Sequence, residues 1–196
     1  MENKIALSII GSSRANGARE ENDFYPTPPE AIQAIIKKEN LTNKSVWEPA
    51  CGDGAIALEV LKTNPKLLFC SDIIDRGFSS ETCGKEYDFL NLHHSDFDVI
   101  ITNPPYILAN EFVKHAKKLS KKKIIFLLKL NFLAGAKRNL EIFSDQTFPL
   151  SKVYVFKKRL SMYKNGEKMK NTGMIDFAWF VWDRDRNIIN PEIYWI

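Results

Sequence analysis

Short apolar runs alternating with helix-patterned segments constrain this chain more than any other feature. "KSVWEP" (44–49), "KLLFCSD" (66–72), "FDVIIT" (97–102) and "KKIIFLLKL" (122–130) are strand-length and rich in β-branched and aromatic residues. Near-continuous apolar character is what strands buried on both faces require, and such strands belong to parallel sheets. Between them, "GAIALEVLKT" (54–63), "ANEFVKHAKKL" (109–119) and "FLAGAKRNLEIF" (132–143) carry helical spacing. Ahead of them, "TPPEAIQAIIKKE" opens with Thr27 in the N-cap place, proline in the first turn and Glu30 behind. Two last runs, "KVYVFKKRL" (152–160) and "DFAWFVWD" (176–183), are joined by the polar, glycine-bearing segment 163–173 and predict an antiparallel hairpin at one edge. The fold class expected is α/β: a doubly wound, mainly parallel sheet with an antiparallel edge hairpin.

A length of 196 residues suits one domain with a real core. Residues 1–23 are expected to form a flexible N-terminal arm, because "GSSRANGAREEND" (11–23) is polar and aperiodic. Residues 24–196 then form one catalytic domain with no separate target-recognition domain. No apolar run approaches the roughly 18 residues of a membrane span. The N-terminal patch, with Glu2 and a single lysine, makes a poor signal peptide. Cys51, Cys70 and Cys83 have no metal-ligand spacing and leave an odd thiol, which points to a reducing cytoplasm and to no bound metal. Charge is segregated: residues 1–106 hold 10 Lys/Arg against 16 Asp/Glu, and residues 107–182 hold 16 against 5. A polyanion meeting the C-terminal half accounts for that asymmetry, although "KKLSKKK" (117–123) alone reads equally as a solvated face.

In a doubly wound sheet, ligands bind outside the carboxyl ends of the strands. The first strand runs into "WEPACGDGAIAL", where Gly52 and Gly54 permit a tight turn and close approach of backbone to ligand. Its acidic flanks, Glu48 and Asp53, argue against a phosphate and for a ligand bearing positive charge or hydroxyls. The second strand ends on Asp72, a position suited to ribose hydroxyls or to capping the next turn. Asp88 beside Phe89 offers a carboxylate for an exocyclic amine and a ring for a base. The third strand ends in "NPPY". Asn103 presents an amide oxygen; Pro104 and Pro105 lack N–H groups that would compete as donors; Tyr106 supplies a stacking face. An amide oxygen and a proline carbonyl converging on one point would grip an –NH2 group through both hydrogens. That would free a lone pair otherwise delocalised into a ring. NPP can equally be only a turn.

"TPPE" (27–30), "EPACGDG" (48–54), "SDI" (71–73), "DFL" (88–90) and "NPPY" (103–106) stand in the order found in S-adenosylmethionine-dependent DNA adenine-N6 methyltransferases. The chain resembles that family, especially its small phage and prophage members. The match spans Thr27 to Tyr106, with "RLSMY" (159–163) and "FAWFVW" (177–182) similar to the family's closing hairpin. The resemblance implies a Rossmann-like class I methyltransferase fold and S-adenosylmethionine as cofactor. Thr27, Glu48, Ala50, Cys51, Gly52 and Gly54 would surround its methionine portion. Asp72 would bind its ribose hydroxyls, with Ile73 beside it in the cofactor site, and Asp88 and Phe89 would meet its adenine. Asn103 and the Pro104 carbonyl would hold the target amine, with Pro105 completing the turn and Tyr106 stacking on the base. Tyr163 would stack on the opposite face. Lys157, Lys158, Arg159 and Lys164, with Arg14 and Arg19 of the arm, would grip DNA phosphates.

The implied chemistry is direct displacement on an adenine that is flipped out of a duplex or comes from a single strand. It leaves His93, His94 and His115 without a catalytic role; solvated side chains are expected there. Methyl transfer to RNA adenine, to a protein glutamine amide, and a non-catalytic nucleic-acid-binding module are the competing readings.

Overall fold

The computed structural model describes residues 24–78, 82–83, 85–161, 163–164, 167–168 and 175–196. The expected apolar runs form β1 (Ser45–Glu48), β2 (Leu67–Asp72), β4 (Val99–Thr102) and β5 (Lys123–Lys129). Two residues, Lys85–Glu86, add β3 beyond β2. The hairpin strands are β6 (Leu150–Val155) and β9 (Phe177–Asp183); Tyr163–Lys164 (β7) and Glu167–Lys168 (β8) pair separately between them. A further strand, β10 (Glu192–Trp195), closes the described chain. The main sheet has eight strands in the order β10-β6-β9-β5-β4-β1-β2-β3. Strands β3 to β5 are mutually parallel, and only β9 runs antiparallel to its neighbours β5 and β6. The mainly parallel α/β architecture is therefore as expected.

Alternation along each strand sends successive side chains to opposite faces. Val46, Ile101, Ile125 and Trp179 join one buried cluster with α1 (Pro29–Ile36) and α2 (Ala55–Leu61). Trp47, Ile100, Ile124 and Phe126 join the other, against α3 (Ala109–Leu119). Both faces of the central strands are thus covered, which is why their sequences read as unbroken apolar runs.

Several local expectations are corrected. Thr27 is not the cap of α1: the helix starts after Pro28 with no side-chain cap. Residues 132–143 do not make one helix; a 3-10 turn, Leu130–Leu133, leads through Gly135 into the short α4 (Ala136–Arg138) and a π-turn, Asn139–Phe143. Glycine at φ +121° breaks the run there. The hairpin is not the sheet edge, because β10 pairs in parallel outside β6. Strand β6 also stops at Val155, leaving Lys157–Arg159 on an exposed bend. Cys70 and Cys83 are paired as a disulfide, which makes Cys51 the odd cysteine of the three. His115 is no solvated side chain: it is half-buried, with Nε2 2.7 Å from the Leu92 carbonyl and its ring edge-on to Phe89. Arg14 and Arg19 lie outside the described residues.

Among the described residues no helix is long and apolar enough to cross a membrane.

Candidate active site

The strand order reverses between β1 and β4, and there, at their carboxyl ends, lies a cavity of about 390 Å³. A crevice at this switch point is where open α/β sheets bind ligands, and its size is that of a small-molecule site. Glu48 reaches it from the end of β1, Asp72 from the end of β2, and Asn103 from the residue after β4.

The loop after β1 is tied to β2 by the Cys51 amide, which donates to the Ser71 carbonyl (2.9 Å), and by the Gly52 amide, which donates to Asp72 Oδ2 (2.9 Å). Asp72 Oδ1 accepts from the Ile74 amide (3.1 Å), so the carboxylate is fixed at both oxygens and keeps lone pairs for a ligand. Gly52 and Gly54 have φ of +55° and +82°, and a Cβ on either would overlap the ring of Phe24 or Phe78. These two positions need glycine for conformation and for space alike. Asp88 caps a 3-10 turn, accepting from the Leu90 amide (3.0 Å) and from Asn91 Nδ2 (2.7 Å).

Glu48 is 1% exposed, and its Oε2 has no hydrogen-bond partner. Burial pushes its pKa well above the usual carboxylate range; the Ala57 amide opposes this, and the charges of Asp53 and Asp72 add to it. A carboxylate in that condition gains from a cation placed beside it. Ile73, by contrast, stands 62% exposed on the cavity wall, an apolar surface that a flat ring would cover.

Asn103 is held from the N-terminal side. Its Nδ2 donates to the Tyr25 carbonyl (3.1 Å) and to Thr27 Oγ1 (3.1 Å). With both amide hydrogens engaged, the amide orientation is set, and Oδ1 is left buried without a partner. The side chain therefore offers one acceptor and no donor at the cavity wall. Thr27, placed by the sequence near the cofactor, acts directly on Asn103.

Thr27, Glu48, Ala50, Cys51, Asp72, Ile73, Asp88, Phe89, Asn103 and Pro105 all line the cavity. Phe89 does so as a core residue, 2% exposed and packed on Trp47 and Phe112. Gly52, Gly54 and Pro104 shape the backbone without forming the wall. Tyr106 is turned elsewhere: its ring packs on Tyr25 and Phe177 and borders a smaller hollow of about 100 Å³ beside Lys129 and Arg138. Lys157 and Lys158 are exposed, while Arg159 donates to Asp176 (2.9 Å). The backbone of Tyr163 and Lys164 forms β7; their side chains lie outside the description. Sequence reasoning missed Phe24, Tyr25, Arg76, Tyr87, Ile107 and Leu108 in the wall. The first two stand one residue, Pro26, ahead of "TPPE", a proximity that could have marked them; Arg76 sits in a polar loop with no local signal.

Among the described residues no cluster of His, Cys, Asp and Glu could hold a metal ion. The donor set of the cavity is four carboxylates (Glu48, Asp53, Asp72 and Asp88), one arginine and one amide oxygen among aromatic walls. It suits a ligand with cationic centres, hydroxyls and a ring, and it opposes a polyphosphate.

Comparison by sequence finds neither a matching protein family nor a matching curated protein. Comparison of structures finds many. One is a candidate RNA methyltransferase from Pyrococcus horikoshii (TM-score 0.64, 16% identity, covering 93% of this chain and 98% of that one). The fold is that of the class I methyltransferases. The modification subunit of a candidate type I restriction enzyme from Vibrio vulnificus YJ016 matches over 100% of this chain and 50% of its own (TM-score 0.63, 14% identity). Magnesium protoporphyrin IX methyltransferase from Synechocystis PCC 6803, with bound S-adenosylmethionine, matches over 93% and 98% (TM-score 0.56, 11% identity).

Proposed function

We propose that this chain transfers a methyl group from S-adenosylmethionine to the N6 amine of adenine in DNA. The observation that carries this reading is Asn103, whose orientation is fixed by Tyr25 and Thr27 and whose Oδ1 is buried and unpartnered. Such an oxygen is matched to a conjugated –NH2 group, because it accepts a hydrogen without the desolvation cost of a full charge. The cavity fits the cofactor on its own chemistry: Glu48 faces a cation, Asp72 hydroxyls, and Ile73 a flat ring. The Synechocystis methyltransferase of the same fold holds that cofactor.

When bound, S-adenosylmethionine supplies an electrophilic methyl group. Asn103 Oδ1 accepts one amine hydrogen, and the Pro104 carbonyl is placed in sequence to accept the other. Together they favour a pyramidal nitrogen with its lone pair free. Pro104 and Pro105 contribute no N–H that would occupy that lone pair. Glu48 acts as a fixed counter-charge whose ionised form is favoured by the cation. An adenine within a duplex cannot reach Asn103, so it must arrive extrahelical or in a single strand. Tyr106 packs on Tyr25 and Phe177 with Lys129 over its ring, so stacking on the base requires that ring to turn. The exposed Lys157 and Lys158 supply phosphate contacts that position DNA without reading it. Residues from Ala109 to Val155 are largely engaged in the sheet and its covering helices, so we expect low sequence specificity.

The test is to incubate the purified chain with S-adenosylmethionine and either DNA or RNA, then digest to nucleosides. N6-methyldeoxyadenosine is the expected product. N6-methyladenosine from RNA alone would replace the substrate class. Methylation of neither, with the cofactor bound, would overturn the reading.

A further inference from the structure

Arg76 belongs to no motif, yet it is the one cationic side chain on the cavity wall among the described residues. Its guanidinium lies 4.1 Å from the centre of the Phe24 ring, the ring that closes over Gly52. Its Nε is buried and has no hydrogen-bond partner. Four carboxylates share that wall, and Asp72 and Asp75 are close along the chain. Arg76 nevertheless makes no ion pair among the described residues. A guanidinium stacked on an aromatic face keeps its edge free for the planar, two-point contact that a carboxylate provides. Leaving such a donor unpaired is costly unless a partner arrives with the ligand.

Charge matching narrows what that partner is. Protein carboxylates outnumber the arginine four to one in the cavity, so the ligand is cationic or neutral over most of its surface and carries one anionic group. Phosphate esters would meet the surrounding acids. A single carboxylate on an amino-acid side arm would not, since its own ammonium neighbour satisfies them. We propose that Arg76, seated on Phe24, is the carboxylate subsite of the cavity and binds the α-carboxylate of the methionine portion of the cofactor. This rests on the cavity being the S-adenosylmethionine site. It extends that reading to a specific selectivity, for nucleosides that carry a free amino-acid carboxylate.

The experiment is calorimetric titration of the full chain with S-adenosylhomocysteine and with its methyl ester, at a pH low enough that the α-ammonium of both stays protonated, so that the charge difference between them is the anion. The wild-type chain is expected to bind the ester about tenfold or more weakly. In Arg76→Met, which keeps the packing stem and removes the charge, acid and ester should bind alike. Arg76→Lys should recover part of the difference. Equal binding of acid and ester by the wild type would overturn the proposal without any variant. An unchanged acid–ester difference in folded Arg76→Met would overturn it as well. If S-adenosylhomocysteine gives no heat with the wild type, the cofactor reading itself falls, an outcome distinct from loss of the Arg76 subsite alone.

Discussion

Two glutamates, buried at opposite ends of the same sheet, show how this molecule divides its polar groups. Glu39 lies 2% exposed near the amino ends of the central strands, and Glu48 lies 1% exposed at the carboxyl end of β1. Glu39 accepts from Lys123 Nζ (2.6 Å), Lys152 Nζ (2.8 Å) and the Tyr154 hydroxyl (2.8 Å). Burial would raise its pKa, but these donors outweigh burial and hold it below the ordinary value, while Tyr154 is pushed above its ordinary value by its own burial and by Glu39. Glu48 has the opposite outcome: burial dominates, neighbouring acids reinforce it, and Oε2 has no partner. Asn103 Oδ1 and Arg76 Nε, also at the carboxyl ends, are left in the same condition. The buried carboxylate at the amino ends is satisfied by side chains of the fold itself, whereas Glu48 and its neighbours at the carboxyl ends keep polar atoms open towards the cavity.

Removing the satisfied partner is expected to have the largest effect. Glu39→Ala leaves two lysines and a tyrosine around an emptied acceptor and should cost about 3–5 kcal/mol in urea unfolding. A loss below 1 kcal/mol would erase the contrast between the two ends. Next, Asn103→Ala should lower methyl transfer by about 10²–10³-fold, the scale set by one positioned hydrogen-bonding group, while cofactor titration stays near wild type. Retention of a tenth of wild-type turnover makes the amine-gripping role untenable. Asp72→Asn preserves shape but weakens the acceptor for ribose hydroxyls, so cofactor affinity should fall by roughly 1.5–3 kcal/mol. Unchanged affinity in the folded variant would remove Asp72 from the site.

The smallest effect is the most diagnostic. Glu48→Gln should leave stability at neutral pH unchanged or raise it by up to about 1 kcal/mol, opposite in sign to Glu39→Ala, because it withdraws an uncompensated buried charge. The pH dependences oppose each other too. Glu39, with its pKa depressed, contributes stability above the ordinary carboxylate range that is lost as pH falls through its folded value. Glu48, with its pKa raised, costs stability progressively as pH rises from the ordinary range through its folded value. Affinity for the cationic cofactor should therefore climb with pH across that window in the wild type and stay flat in Glu48→Gln. A pH-independent wild-type affinity would mean that Glu48 does not face the cation.

Contiguous patterns were legible without coordinates. Strands β1, β2, β4 and β5 declare themselves because burial on both faces demands unbroken apolar runs. The glycines at 52 and 54 and the amide at 103 declare themselves because strand ends in such sheets carry the ligand groups. Strand β10 was missed: its four residues are exposed, so no periodic burial marks them. The segment 132–143 was misread because helical spacing of apolar residues does not reveal that Gly135 interrupts the backbone.

What the sequence determined by itself was the list of groups at the strand ends, since each is set by its neighbours in the chain. What only the tertiary structure decided was which of those groups are left without partners. The orientation of Asn103 depends on Tyr25 and Thr27, more than 70 residues earlier in the chain. The ionisation of Glu39 depends on Lys152 and Tyr154, more than 110 residues later. Arg76 becomes a ligand group only because Phe24 is brought beneath it. Propensity and periodicity are local properties of a chain, whereas the pairing of a buried polar atom is settled by whatever the fold packs against it.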